Sequence, residues 1–503
     1  MSMPKERPHI ILIMTDQQRV DTIGAWECAH MTTPHMDRLA AEGLSFRRAY
    51  CPGATCMASR AAIFTGMYPH NTGVYGFDAW SHHRNWVEDL SDAGYWCVNI
   101  GKMHLGPIRA QGGFHERIIV ENPNNGSLFN GGDDDDWGRF LTLNGASRPY
   151  DRHQTDPQWR EKLQGAVWEL EERLHSDVYI GDMAASWIGA HCGERPLFLQ
   201  VGFTGPHEPW DPLPRHLDLY AERPVPAPRC MEGELETKPP QHAAHKERLR
   251  AALESHESGI DLYAASDADI ERMRRHYYAK VTTVDEQVGK VLDALEEKGY
   301  LENSLLVFCS DHGELLGDHA QAYKWLMYEE VTNIPLIVRD SRRPELGGQQ
   351  LTRDLVSLMD VGPTLLEAAR IEVPSYMEGR SLHPYIEGLD DHFTSRARVF
   401  CEDNYEIMMR EDRYKMVYYI GQEAGELYDM ETDPHEFDNL WDQVEHAECK
   451  EAMLRQLLSW LATSTYYNAG YKRGRTRKYS MCWPQGKGSY LTGASAVERS
   501  VDL

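Results

Sequence analysis

The chain has 503 residues, with 52 Lys and Arg against 78 Asp and Glu, a formal net charge of −26. That is too long for one ordinary core, so two domains are the default, and the acidic balance excludes nucleic acid and anionic membrane surfaces as partners. The apolar share of 41% and charged share of 26% are those of a soluble globular protein, in which an anionic substrate needs a locally positive pocket.

The residues before His9 hold no apolar leader core, and no later run is long enough to span a bilayer, so a cytoplasmic location is expected. Ten scattered cysteines show no zinc spacing and imply no disulfide frame. His9-Ile10-Ile11-Leu12-Ile13-Met14 reads as a buried parallel strand, ending in Thr15-Asp16-Gln17-Gln18. Pro34 opens a helix through Met36, Leu39 and Ala40 that stops at Gly43. Cys51-Pro52-Gly53-Ala54-Thr55-Cys56 is a loop entering a second helix, with Thr55 the expected N-cap. Cys56 then sits in the first turn, where free N–H groups favour an anion, and Arg60 lies one turn on, on the same face.

Trp96-Cys97-Val98-Asn99-Ile100 is the next strand, ending in Gly101-Lys102-Met103-His104. Residues 105–165 read as irregular, and the acidic run Asp133-Asp134-Asp135-Asp136 as a solvated loop without calcium-ligand spacing. A helix is expected over 177–190, then a buried strand from Leu197 to Phe203 that runs into Thr204-Gly205-Pro206-His207. A Pro-rich excursion over 208–265 has the length of a lid or specificity loop. Helical periodicity covers 267–298, and Leu305-Leu306-Val307-Phe308-Cys309 is a strand ending in Ser310-Asp311-His312-Gly313. A strand at 334–338 and a short helix at 360–369 come next.

Up to about residue 385 this alternation predicts an α/β domain with a mostly parallel sheet flanked by helices. Residues 386–465 change texture, with short strands at 398–401, 414–419 and 426–428 and a helix at 444–462, as in a small antiparallel-sheet subdomain. The Gly-rich, aromatic stretch 466–503 reads as an extended tail lying over another surface, such as a neighbouring subunit of a homo-oligomer.

Strand C-terminal ends gather on one edge of a parallel sheet. Asp16, Lys102, His104, His207, Asp311 and His312 stand at such ends, beside Cys56, with Lys324 shortly after the Asp311 turn. Asp16, Asp311, His312 and Gln17 suit a hard divalent cation. Each residue alone has an ordinary explanation, the aspartates as caps or turns and the histidines as packing, but their shared placement does not.

Here the chain resembles the type I sulfatases of the alkaline-phosphatase-like superfamily, from about residue 7 to 440. The carriers are Asp16-Gln17-Gln18, Thr33-Pro34-His35-Met36-Asp37-Arg38-Leu39-Ala40, Cys56-Met57-Ala58-Ser59-Arg60 and Thr65-Gly66-Met67-Tyr68-Pro69-His70. Gly101-Lys102-Met103-His104, Pro206-His207, Ser310-Asp311-His312-Gly313-Glu314, Lys324, Tyr328-Glu329-Glu330 and Glu426-Leu427-Tyr428-Asp429 continue the series in order. The resemblance implies a sulfuric ester hydrolase whose nucleophile is formylglycine, made from Cys56 by a maturation enzyme and used as its hydrate. It implies one metal ion on Asp16, Gln17, Asp311, His312 and the modified Cys56, with Arg60 orienting the nucleophile and Lys102 and Lys324 neutralising sulfuryl oxygens. His207 or Lys324 would protonate the leaving oxygen, and His104 would be the base that regenerates the aldehyde.

Two departures stand out. Ala58 replaces the usual proline of the modification motif, and Asp16-Gln17 with Asp311-His312 carries fewer carboxylates than usual. The family implies Ca²⁺, whereas an imidazole ligand moves the balance toward Mn²⁺. A phosphonate monoester hydrolase or phosphodiesterase with the same nucleophile stays open as an alternative, as does a non-catalytic binding protein with unmodified Cys56. Sugar, aryl, choline-like and alkyl sulfates all remain open as substrates. Trp137, Trp210 and His216 are expected to pack loops rather than stack on a ligand.

Overall fold

The computed structural model describes residues 7–76, 78–121, 135–148, 163–253, 259–388 and 395–472. Its large sheet is built from β1 (His9–Asp16), β2 (Leu44–Tyr50), β3 (Trp96–Gly101), β4 (Glu116–Ile119), β5 (Leu197–Pro206), β6 (Ser304–Ser310), β7 (Asn333–Asp340), β8 (Gln350–Leu351) and β9 (Val356–Ser357). The strand order is β4-β3-β5-β1-β6-β7-β2-β8, with β9 also paired to β2.

β1 lies in the middle because it is apolar on both faces. Ile10, Leu12 and Met14 enter one core while Ile11 and Ile13 enter another, as the alternation of a strand requires. The first core is covered by α2 (Cys56–Thr65) and the helices Trp86–Asp92 and Val361–Ala368. The second is covered by α1 (Pro34–Glu42) and the helices Ser176–Ala190 and Asp267–Glu297. β4, β3, β5, β1 and β6 are mutually parallel, so the chain leaves β3, β5, β1 and β6 on the same edge.

β7 runs antiparallel to both β6 and β2. The reason is local: 311–332 holds only short helical turns, Asp318–Ala320 and Glu329–Thr332, so no crossover helix carries the chain back across the sheet. β2 is a strand the sequence does not announce. Arg47 and Arg48 interrupt its apolar pattern, and its register against β7 shifts between Phe46 and Ala49.

A separate four-stranded antiparallel sheet lies beyond: β10 (Val399–Asp403), β11 (Glu406–Arg410), β12 (Tyr414–Tyr419) and β13 (Gly425–Asp429). β11 joins the three strands expected from sequence. The sheet packs Phe400, Met409 and Met416 on Met453, Leu457 and Trp460 of the helix Ala447–Lys472. That helix continues past the expected end at 462, because no Pro or Gly interrupts it before Gly470. Residues 473–503, most of the expected tail, lie outside the described residues, as do Asp133 and Asp134. Asp135 and Asp136 are not a solvated loop. Buried Asp135 caps the helix Asp136–Leu143 by accepting from the Gly138 N–H at 2.7 Å, and Asp136 accepts from Ile119 N–H.

Trp137 and Trp210 are fully buried and His216 bonds Thr283 and Glu286, so all three pack, as expected. Among the described residues no helix is long and apolar enough to cross a membrane.

Candidate active site

The shared edge of β3, β5, β1 and β6 brings the expected residues together. β1 ends in Asp16, and its neighbours β5 and β6 run on into His207 and into Asp311 and His312. Lys102 comes directly after β3, where two glycines allow an unusually close approach. A Cβ on Gly202 would lie 2.1 Å from the Lys102 carbonyl oxygen, and Gly101 has φ of 100°. The Lys102 N–H donates to Gly202 O at 2.7 Å, which fixes where its side chain leaves the sheet.

α2 supplies Cys56 as its first residue, and every residue of this helix is buried. Thr55 occupies the N-cap position with an extended backbone, but its hydroxyl makes no cap bond and has no hydrogen-bond partner among the described residues. Lys324 Nζ lies 3.8 Å from Cys56 Sγ and 2.8 Å from Gln17 Oε1. Burial pushes the Cys56 thiol up from its ordinary pKa, although Lys324 and Lys102 pull the other way. The unmodified thiol is therefore protonated at neutral pH and a poor nucleophile. Burial works against the Lys324 ammonium, but the facing Cys56, Asp16 and Glu208 outweigh it and hold its pKa above the usual lysine value.

Arg60, expected to orient the nucleophile, holds the two aspartates. Its Nε donates to Asp311 Oδ2 at 2.7 Å, one terminal nitrogen to Asp16 Oδ2 at 3.1 Å, and the other to Lys102 O at 3.0 Å. The guanidinium thus spans both carboxylates in a fixed fork. Lys102 Nζ is 2.6 Å from Asp16 Oδ2, both side chains being fully buried. Burial alone would raise the Asp16 pKa, but Lys102, His207 and Arg60 together hold it well below the ordinary value.

Asp16, Asp311 and His312 place one ligand atom each within 4.8 Å of one another. Asp311 Oδ1 accepts from the backbone N–H of Gln17 at 3.1 Å and of His312 at 2.9 Å, and its carbonyl accepts from Ser59 Oγ at 2.6 Å. His312 Nδ1 faces Gly313 O at 2.8 Å, which leaves Nε2 as the lone-pair nitrogen. Burial lowers the His312 pKa to about 4, so its 3.8 Å approach to Asp311 Oδ1 is no ion pair. Among the described residues Asp16 Oδ1 and His312 Nε2, both buried, have no hydrogen-bond partner. Two carboxylates and a neutral imidazole with two such orphaned atoms fit a divalent cation. The Gln17 amide is turned elsewhere: Nε2 donates to Glu208 Oε2 at 3.1 Å and to Glu314, while Oε1 accepts from Lys324.

His104 and His207 are both buried and both neutral. Burial, then Lys102 and Arg60, lowers His104; burial, then Lys324 and Lys102, lowers His207. Gln17 and His104 have φ of 65° and 56°, and Trp325, just after Lys324, has 77°. Left-handed backbone at non-glycine residues clusters at functional sites, where surrounding structure holds it.

The structure adds three carboxyl groups. Glu121 accepts the His104 N–H with both oxygens, at 3.2 and 3.3 Å, and burial raises its pKa to about 7. Glu314 is also raised to about 7, by burial and by its neighbour Glu208. Glu208 adjoins Pro206-His207 and Glu314 adjoins Asp311-His312-Gly313, so both were findable from the strand ends. No sequence signal marked Glu121.

Residues 8–371 match the family model described as Sulfatase, and residues 317–463 match that of the N-sulphoglucosamine sulphohydrolase C-terminal region. An arylsulfatase of Clostridium perfringens is 29% identical over 465 residues, covering 88% of this chain and 92% of that protein. An N-acetylglucosamine-6-O-sulfatase of Bacteroides thetaiotaomicron is 27% identical over 513 residues, covering 90% and 86%. Among solved structures, a phosphonate monoester hydrolase of Agrobacterium radiobacter shares the fold with a TM-score of 0.76 at 24% identity, covering 91% of this chain and 96% of that one.

Proposed function

The chain belongs to the sulfatase family and hydrolyses sulfate esters, and from that premise we propose three things about how it does so. The substrate is a saccharide sulfate, Cys56 is converted to formylglycine, and Asp16, Asp311 and His312 hold one divalent cation. The observation that carries this is the meeting, at one sheet edge, of Cys56 and Lys324 at 3.8 Å with three ligand atoms within 4.8 Å of one another. A saccharide is favoured by the likeness to the N-acetylglucosamine-6-O-sulfatase. The imidazole of His312 favours Mn²⁺ over Ca²⁺ in this donor set.

Formylglycine at position 56 would supply a hydrated aldehyde as the nucleophile. The cation supplies Lewis acidity toward the sulfuryl oxygens. Everything else falls to the chain's own side chains. Arg60 clamps Asp16 and Asp311 at the spacing a cation needs. Lys102 and Lys324 bring positive charge to the non-bridging oxygens, in a buried setting where it acts strongly. Lys324, which stays protonated beside Cys56, donates the proton to the leaving oxygen, while neutral His207 orients that group. His104, neutral and backed by Glu121, takes a proton when the aldehyde is restored.

The test is mass spectrometry of the Cys56 peptide from protein made together with a maturation enzyme, alongside turnover of 4-nitrophenyl sulfate. Aldehyde at position 56 and turnover that scales with its fraction are expected. Full turnover by protein whose Cys56 is an intact thiol would overturn the assignment of the nucleophile.

A further inference from the structure

Beyond Lys324 the chain builds a second positive position. Trp325 comes directly after it, and its N–H donates to Ala54 O of the loop before Cys56, at 3.2 Å. Lys324 Nζ lies 5.7 Å from the Trp325 ring centroid, and Arg248 Cζ lies 4.4 Å from the same centroid. The ammonium that touches Cys56 and the Arg248 guanidinium thus lie against one and the same aromatic ring. Arg248 comes from the helix Pro240–Ala252, inside the long excursion after β5. One of its terminal nitrogens also meets His245 Nδ1 at 3.2 Å, and His245 Nε2 is held by Ala322 O at 3.1 Å. Among the described residues no carboxylate lies within ion-pair distance of Arg248; the residue reaches the surface, yet burial lowers its pKa while Asp403 acts in the opposite direction. In a chain of net charge −26, an arginine over an aromatic ring with no carboxylate at ion-pair distance among the described residues is unusual.

Asp403, the last residue of β10, belongs to the same neighbourhood. That strand is tied to the nucleophile loop: Glu402 N–H donates to Pro52 O at 3.0 Å, and Ala54 N–H donates to Glu402 O at 3.3 Å. Asp403 is buried, accepts only the neighbouring Asn404 N–H at 2.8 Å among the described residues, and lies within electrostatic range of both Arg248 and Lys324. A buried carboxyl facing two cations without pairing with either is a hydrogen-bond partner for a hydroxyl rather than for an anion.

We propose that Arg248, held over Trp325, binds a second sulfate group of the substrate, with Asp403 hydrogen-bonding a hydroxyl of the sugar between the two sulfates. The subsite rests on the saccharide reading above and narrows it to multiply sulfated sugars. Arg248 offers two parallel N–H donors, the geometry that suits a sulfate edge, and stacking on Trp325 removes much of the ordering cost of its long side chain.

The experiment measures kcat and KM of formylglycine-bearing, metal-loaded enzyme on glucosamine 2-N,6-O-disulfate, glucosamine 6-sulfate and 4-nitrophenyl sulfate. Wild type is expected to prefer the disulfate by about ten- to a hundredfold in kcat/KM, the worth of a charge-assisted hydrogen bond or two. Arg248→Gln should abolish that preference through KM while leaving the other two substrates within about twofold, and Arg248→Lys should restore part of it. Equal efficiency of wild type on the two sugars, or an equal loss on both in Arg248→Gln, overturns the subsite. Turnover of 4-nitrophenyl sulfate with none of either sugar overturns the saccharide reading itself, and the subsite with it.

Discussion

Lys102→Ala separates a catalytic lysine from a structural one. The ammonium sits 2.6 Å from Asp16 Oδ2 with both side chains fully buried, so removal leaves a carboxylate without its nearest cation. Breaking a buried pair in this way costs roughly 3–5 kcal/mol when nothing else compensates. Arg60 still reaches the same oxygen at 3.1 Å, which moves the stability loss to the lower end, about 3 kcal/mol. If Lys102 also meets developing charge on the sulfuryl oxygens, kcat should fall about a hundred- to a thousandfold, as when one donor to such charge is lost. Urea unfolding gives the first quantity. Turnover of 4-nitrophenyl sulfate at saturating Mn²⁺, normalised to the measured formylglycine content, gives the second. A kcat within about fivefold of wild type on folded, converted protein would refute the catalytic assignment. So would a loss that added metal fully restores, since Lys102 would then serve only to hold Asp16.

Further outcomes are expected. Burial holds Glu121, Asp285 and Asp403 near a pKa of about 7, above their unfolded values, so unfolding releases protons and stability falls as pH rises from about 4 to about 7. Glu121→Gln removes one such group and should flatten the decline in Tm between pH 5 and pH 8; an unchanged pH dependence would contradict the burial assigned to Glu121. Chelation should abolish turnover and lower Tm, because the charges of Asp16 and Asp311 then face each other without the cation, beside Arg60 and Lys102. Added Mn²⁺ should restore both more fully than Ca²⁺, with one ion per chain by elemental analysis, and His312→Ala should erase that difference. With matched leaving groups, kcat/KM should be higher for an aryl sulfate than for a phosphonate monoester, and a phosphonate preference of orders of magnitude would reverse the substrate assignment.

The parts of the site that stand at strand ends were readable along the chain. A buried parallel strand is a short apolar run, and the residues just past its C-terminal end must emerge at one sheet edge. Asp16, Lys102, His207 and Asp311 could therefore be placed together without coordinates. Motif order did the same for Cys56 and Lys324. The direction of the Arg60 donors was not readable. Being one turn from Cys56 puts Arg60 on the right face of α2, but which acceptors it meets depends on Asp16 and Asp311, both distant in the chain.

Local pattern also failed where burial is decided by distant chain. β2 carries two arginines and owes its place to β7 and β9, and Asp135 in an acidic run becomes a buried cap because Glu121, Gly138 and Arg148 surround it. Glu121 behind His104, and Arg248 in electrostatic range of Asp403, are meetings of ordinary residues that only packing singles out. Sequence determined the strands, the edge they share and the chemistry gathered there, since these arise from short-range apolar periodicity and from residue type. Tertiary structure decided which charges face one another and which are left without a partner, because those depend on contacts between segments hundreds of residues apart.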